Sequence, residues 1–146
     1  RQVRSPKVYL RDSGLLHQLL GIGSASQLLT HPKLGASWEG YLVEEILKLV
    51  APDEAYYWAT HAGAELDLLL FKDGRRYGVE IKRDDAPRLT PSMKIALADL
   101  RLDHLTVVYP GSREYRLANR VAVVPAEVVA ERPMALLGRS ERTQKK

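Results

Sequence analysis

The chain has 146 residues, 45% of them hydrophobic, with a mean hydropathy of −0.24 and no cysteine. That length supports one domain with a proper core. The composition excludes a disordered chain, and no apolar run reaches the roughly 20 residues that span a bilayer. The missing cysteines exclude disulfides and thiolate metal sites and fit a reducing, cytoplasmic compartment. The first eleven residues carry +4 and the last eight +3 out of a total of +4, which leaves −3 for the body. Basic ends attract phosphate backbones, although charge runs at termini are commonly solvated and frayed.

In chain order, Lys7–Leu10 reads as a short strand or extended approach. Asp12 or Ser13 can cap a short helix through Leu20 that ends at Gly21, and Ser24–Leu29 can form another helical turn before Pro32. Leu34–Ala51 is the clearest helix, with Trp38, Leu42, Val43, Ile46, Leu49 and Val50 at three- and four-residue steps, stopped by Pro52. Ala55–Thr60 is aromatic and strand-like, and His61-Ala62-Gly63 is a turn. Thr90 caps a helix with Pro91 at its first position, running to about Leu100. His104–Tyr109 reads as a buried strand, Glu114–Leu117 and Arg120–Val124 as short strands, and Pro125–Glu131 as a short helix. Strand Arg76–Lys82, the helix after it and strand His104–Tyr109 form a right-handed crossover. The expectation is an α/β fold with a mixed central β-sheet flanked by helices. The segments expected are an extended and helical lead-in over 1–33, an α/β domain over 34–138 and a basic, disordered tail over 139–146. There is no visible signal peptide. The start at Arg1 rather than methionine is expected of a piece of a longer protein.

The informative stretch is Ala64 to Lys82, AELDLLLFKDGRRYGVEIK. Asp73-Gly74 tolerates the positive φ of a tight hairpin turn. A turn there pairs Lys72 with Arg75, Phe71 with Arg76, Leu69 with Gly78, Asp67 with Glu80 and Glu65 with Lys82. Alternation puts Leu66, Leu68, Leu70, Tyr77, Val79 and Ile81 on one apolar face and Glu65, Asp67, Glu80 and Lys82 on the other. Like charges directly opposite are destabilising unless neutralised, and a divalent metal would neutralise them. Magnesium takes one or two carboxylates plus waters, so Asp67 and Glu80 suit it, with the backbone carbonyl of Ile81 as a third ligand. Such a metal activates water and polarises a phosphate. Lys82 could orient or deprotonate that water, or balance charge on phosphoryl oxygens. It could equally form a plain ion pair with Glu65. Glu39 lies on the apolar side of the long helix, where a carboxylate is costly unless paired, metal-bound or able to reach water at the stripe's edge.

An acid on a first helix (Glu39), an aspartate on a strand (Asp67) and Glu-x-Lys on the next strand (Glu80, Lys82) resembles the PD-(D/E)xK phosphodiesterase superfamily, which includes restriction enzymes and archaeal Holliday-junction resolvases. The resemblance implies a restriction-endonuclease-like core that cleaves DNA with Mg2+ or Mn2+. Asp67 and Glu80 would be ligands, Glu39 would assist and Lys82 would be catalytic. The position of the motif's proline is Leu66 here, and the helix TPSMKIALADL offers Ser92 and Lys94 but no glutamine. A likeness over most of the chain is carried by SPKVYLRDSGLLHQLLG, WEGYLVEEIL and AELDLLL…GVEIK. It is similar to an uncharacterised, nuclease-like domain that follows AAA-type ATPase modules in bacteria and archaea. This implies an ATPase module upstream of Arg1. No GxxxxGK[ST] loop occurs within the chain itself.

The histidines carry less. His17 reads as a polar surface or core residue, His31 as a loop residue and His104 as a strand start, while His61 could approach a substrate phosphate. Tyr56, Tyr57 and Trp58 either pack in the sheet or stack bases. Arg83 and Arg88 are phosphate contacts in prospect, offset by Asp84 and Asp85. The leading expectation is a metal-dependent DNA phosphodiesterase. The alternative is a catalytically silent module of the same fold that binds nucleic acid or regulates its ATPase, and a third reading has the basic ends merely tether nucleic acid.

Overall fold

The computed structural model describes residues 8–138. The first seven residues and the basic tail over 139–146 lie outside the described residues, as does Lys7 of the expected Lys7–Leu10 segment, whose residues 8–10 form no strand. Helix α1 (Ser13–Leu19) starts where the Asp12 carboxylate accepts the Leu15 N–H at 2.9 Å. Ser24 caps α2 (Ala25–Thr30) in the same way through Gln27. Neither helix buries a residue, and Leu15, Leu19 and Leu29 stay exposed. Helix α3 (Leu34–Val50) buries Leu42, Val43, Ile46 and Val50 along one stripe and ends at Ala51 in the left-handed region, ahead of Pro52.

Six strands follow the long helix: β1 (Glu54–Ala59), β2 (Glu65–Lys72), β3 (Arg75–Ile81), β4 (His104–Tyr109), β5 (Tyr115–Ala118) and β6 (Val121–Pro125). They form one sheet in the order β1-β2-β3-β4-β6-β5. The β1–β2, β2–β3 and β5–β6 pairs are antiparallel, and β3–β4 and β4–β6 are parallel. Helix α4 (Pro91–Asp99) makes the β3–β4 crossover, capped by Thr90 with Pro91 at its start. Helix α5 (Glu127–Glu131) and a 3₁₀ turn (Pro133–Leu137) close the described chain. The expected α/β architecture, a mixed sheet flanked by helices, is therefore present.

Two apolar cores lie on the two faces of the sheet. Helix α3, α5 and the 3₁₀ turn cover Leu70, Tyr77, Val79, Ile81 and Val108 on one face. Helix α4 covers Leu66, Leu69, Leu105, Val107 and Val123 on the other through Met93 and Ala96. Strand β4 is buried at all six positions, as a strand with parallel neighbours and both faces covered must be.

The hairpin turn falls at Asp73 (φ 52°) and Gly74 (φ 71°), and Lys72–Arg75, Phe71–Arg76 and Leu69–Gly78 pair as expected. The expected faces need one correction. From Tyr56–Leu69 to Trp58–Leu66, β1 advances two residues while β2 advances three. Strand β2 thus carries one extra residue, and its alternation flips beside Asp67 and Leu68. Leu66 consequently packs with Leu69 on the α4 face, not with Leu68 and Leu70.

Candidate metal centre

The flip in β2 changes how its acid meets β3. Regular pairing of β2 with β3 ends at Leu68–Val79. Asp67 and Glu80 are therefore not a simple cross-strand pair. Instead the Asp67 carboxylate accepts the Ile81 N–H at 2.8 Å, in place of a backbone acceptor. In a strand, the N–H and C=O of one residue point to the same side. The Ile81 carbonyl proposed as a ligand therefore projects toward β2, the side on which Asp67 stands.

Glu80 and Lys82 alternate with Gly78, whose Cα faces Leu66, Leu102 and Leu105. Their side chains thus belong to the α4 face, at the C-terminal end of β3. Glu80 is 2% exposed and Asp67 7%. The Lys82 ammonium lies 2.6 Å from Glu80 Oε1. Glu80 Oε2 is buried and has no hydrogen-bond partner among the described residues. Burial first, then the charge of Asp67, push the Glu80 carboxyl up to about 7, against the hydrogen bond and charge of Lys82. Burial works against the Lys82 ammonium, but its bond to Glu80 and the fields of Glu80, Asp67 and Glu65 outweigh it, and its pKa is raised.

Glu65 does not pair with Lys82 as the simple register would have it. Its carboxylate accepts the Tyr57 hydroxyl at 3.1 Å, and it acts on Glu80 and Lys82 through its charge. Tyr57 is thus a neighbour of the site that no spacing in the chain points to. Trp58 is buried in the α4-side core, and Tyr56 packs edge-on against Phe71.

Glu39 is carried by α3, whose apolar stripe packs on the face of the sheet opposite α4; the Tyr9 hydroxyl donates to its carboxylate, and it is not among the charges that shift Glu80. Among the described residues no three His, Asp or Glu side chains come together as a metal-binding group. The donors at hand are two carboxylates and one carbonyl, a hard oxygen set of the kind magnesium completes with water. The orphaned Glu80 Oε2, under the charge of Asp67, fits a divalent cation.

The histidines lie apart from these acids. His17 Nε2 is 2.7 Å from Ser37 Oγ, and His61 is exposed on the β1–β2 turn. His104 is buried at the start of β4, where burial lowers its pKa.

A family model matches residues 34–129, well over half of the chain. The chain belongs to the family described as "Domain of unknown function (DUF4143)". Residues 34–129 of this DUF4143 domain contain α3, the hairpin and the parallel strands, and so the whole candidate centre. The chain is 51% identical over 129 residues to uncharacterized proteins of Mycobacterium bovis and of Mycobacterium tuberculosis. Each match covers 88% of this chain and 29% of the relative, so the chain spans under a third of the length of either. No solved structure matches. No helix among the described residues is long and apolar enough to cross a membrane.

Proposed function

We propose that this DUF4143 domain is a metal-dependent phosphodiester hydrolase acting on DNA, with a restriction-endonuclease-like core. In the longer polypeptide it would work beside an ATPase module. The observation that carries the reading is Glu80, buried with one carboxylate oxygen unpartnered beside Asp67 and joined at the other to Lys82.

In this reading Asp67, Glu80 and the Ile81 carbonyl hold Mg2+ or Mn2+. A bound cation there supplies Lewis acidity toward a phosphoryl oxygen. The protein's own part is positioning and electrostatics. Asp67 is held in place by the Ile81 amide, so its orientation is fixed before any ligand arrives. Lys82 has a raised pKa and is a cation at neutral pH. It therefore serves by donating hydrogen bonds to the attacking water or to the phosphoryl oxygens, not as a base. Hydrolysis breaks the bond from phosphorus to the leaving sugar oxygen and forms one to the water oxygen. The test is cleavage of plasmid or branched DNA with Mg2+ or Mn2+, against Asp67→Ala and Lys82→Ala. Equal cleavage by all three proteins would place the activity elsewhere.

One observation favours a second reading. The Glu39 carboxylate accepts the Tyr9 hydroxyl, and Tyr9 packs against the core under α3. A domain with that arrangement could be a silent module that regulates its ATPase or holds nucleic acid. Calorimetric titration with millimolar Mg2+ and Mn2+ separates the two: no heat and no cleavage would support the silent module.

A further inference from the structure

A cleft of about 500 Å³ opens between two loops, the segment after β3 that carries Pro87 and Arg88 and the β4–β5 turn that carries Arg113. Tyr109 and Tyr115 stand between them, edge to face, with ring centres 6.1 Å apart. Both tyrosines belong with the core on the α4 side, the side to which Glu80 and Lys82 alternate. The cleft also shares the sheet end of those residues. The Lys82 N–H donates to the Val108 carbonyl at 2.9 Å, and Tyr109 is the next residue.

Both loops are pinned. The Arg113 N–H donates to the Tyr109 hydroxyl at 2.9 Å, and that hydroxyl donates to the Arg113 carbonyl at 2.8 Å. Gly111 lies so close to the ring that an added Cβ would fall 2.2 Å from Tyr109 Cε2. The Tyr115 hydroxyl donates to the Pro87 carbonyl at 3.0 Å and ties down the other loop. The backbone beside each arginine is thus fixed, while both side chains are exposed. Among the described residues neither guanidinium has an ion pair or hydrogen-bond partner. Of the acids on the rim, Glu114 is taken up by Arg132, which leaves Asp85 against two arginines. The cleft is cationic beside a centre that is anionic.

We propose that this cleft seats the phosphodiester backbone of the nucleic-acid strand whose reacting phosphate lies at Asp67, Glu80 and Lys82. This rests on the hydrolase reading for the identity of the ligand. Arginine forks suit phosphate oxygens. Tyr109 is 2% exposed, so its ring is not offered to a base. Contacts of this kind fix register on the backbone and carry no base readout, so binding is insensitive to sequence.

The experiment uses the 146-residue chain in EDTA, a short fluorescent DNA duplex and a salt series read by anisotropy. The double variant Arg88→Gln/Arg113→Gln should bind about tenfold more weakly at low salt. The slope of log affinity against log salt should flatten by about 1.8, from two lost phosphate contacts at about 0.9 each. Arg88→Lys/Arg113→Lys should keep the slope. A charge-matched control, Arg75→Gln/Arg101→Gln, removes two cations at the opposite sheet end and should leave the slope as in the parent. An unchanged slope in the first variant overturns the proposal, and so does an equal loss in the control, which would indicate diffuse charge. Displacement of the duplex by inorganic phosphate at matched ionic strength would also overturn it, in favour of a small-anion site. Because no metal is present, this binding can hold where metal-dependent cleavage fails, and the reverse.

Discussion

The Asp67 carboxylate accepts the Ile81 N–H at 2.8 Å across the hairpin, at the point where regular pairing of the two strands stops. One side chain both replaces a ladder acceptor and brings a negative charge toward Glu80. The two roles separate by mutation. Asp67→Asn keeps an acceptor for the amide and removes the charge, whereas Asp67→Ala removes both. In EDTA, Asp67→Ala should lose about 1–3 kcal/mol in urea denaturation, the cost of an unpaired buried amide. Asp67→Asn should lose less than Asp67→Ala. A loss as large in Asp67→Asn as in Asp67→Ala would show that the hydrogen bond contributes little.

Glu80 makes the metal-free fold sensitive to pH. Its folded pKa of about 7 lies above the ordinary value of 4.5. The protonated form is the one the fold prefers. The stabilising contribution is therefore complete below the unfolded pKa and is lost as pH rises through about 7. The full swing is on the order of 3 kcal/mol. Melting temperature in EDTA should fall between pH 5 and pH 8, and Glu80→Gln should flatten that fall. A parent profile no steeper than that of Glu80→Gln would contradict the assignment.

A divalent cation must displace the Glu80 proton to bind, so affinity rises with pH. Millimolar Mn2+ should raise the melting temperature more at pH 8 than at pH 6, because ligand binding to the folded state adds stability by mass action. Asp67→Asn and Glu80→Gln should each abolish the rise. Metal-induced stabilisation that survives both substitutions would place the cation at a different site.

Gly78 sits where β3 meets the α4-side core, and an added Cβ would lie 2.7 Å from Leu102 Cδ1 and 3.3 Å from Leu66 Cδ2. Gly78→Ala should destabilise the domain by about 1–3 kcal/mol through overpacking. The shorter side chain of Leu102→Ala in the same background should recover part of that loss. Denaturation midpoints would check it, and additive losses in the double variant would deny that the two residues press on each other.

Much of this fold is legible in the residues. Asp73-Gly74, the stripe from Leu42 to Val50, the Thr90-Pro91 cap and the apolar run His104–Tyr109 each determine local structure through few-residue chemistry, and each element appears where that chemistry puts it. The extra residue in β2 was not legible. Leu66, Leu68, Leu69 and Leu70 are apolar on either face, so alternation gives no sign of the flip beside Asp67. Long-range partners escape for a different reason. Tyr57 with Glu65 and Tyr9 with Glu39 depend on how chain segments meet in space, which periodicity does not encode. The 3₁₀ turn at Pro133–Leu137 is too short to show a period at all.

Both carboxylates and the ammonium lie on, or one residue beyond, a single hairpin closed by Asp73 and Gly74, so the loop that joins them is short. Hairpins close in about 1–10 μs. Closing that short loop costs little chain entropy, and Lys82, two residues beyond Glu80, is the counter-charge at hand. Its loss would leave the buried Glu80 carboxylate without that partner.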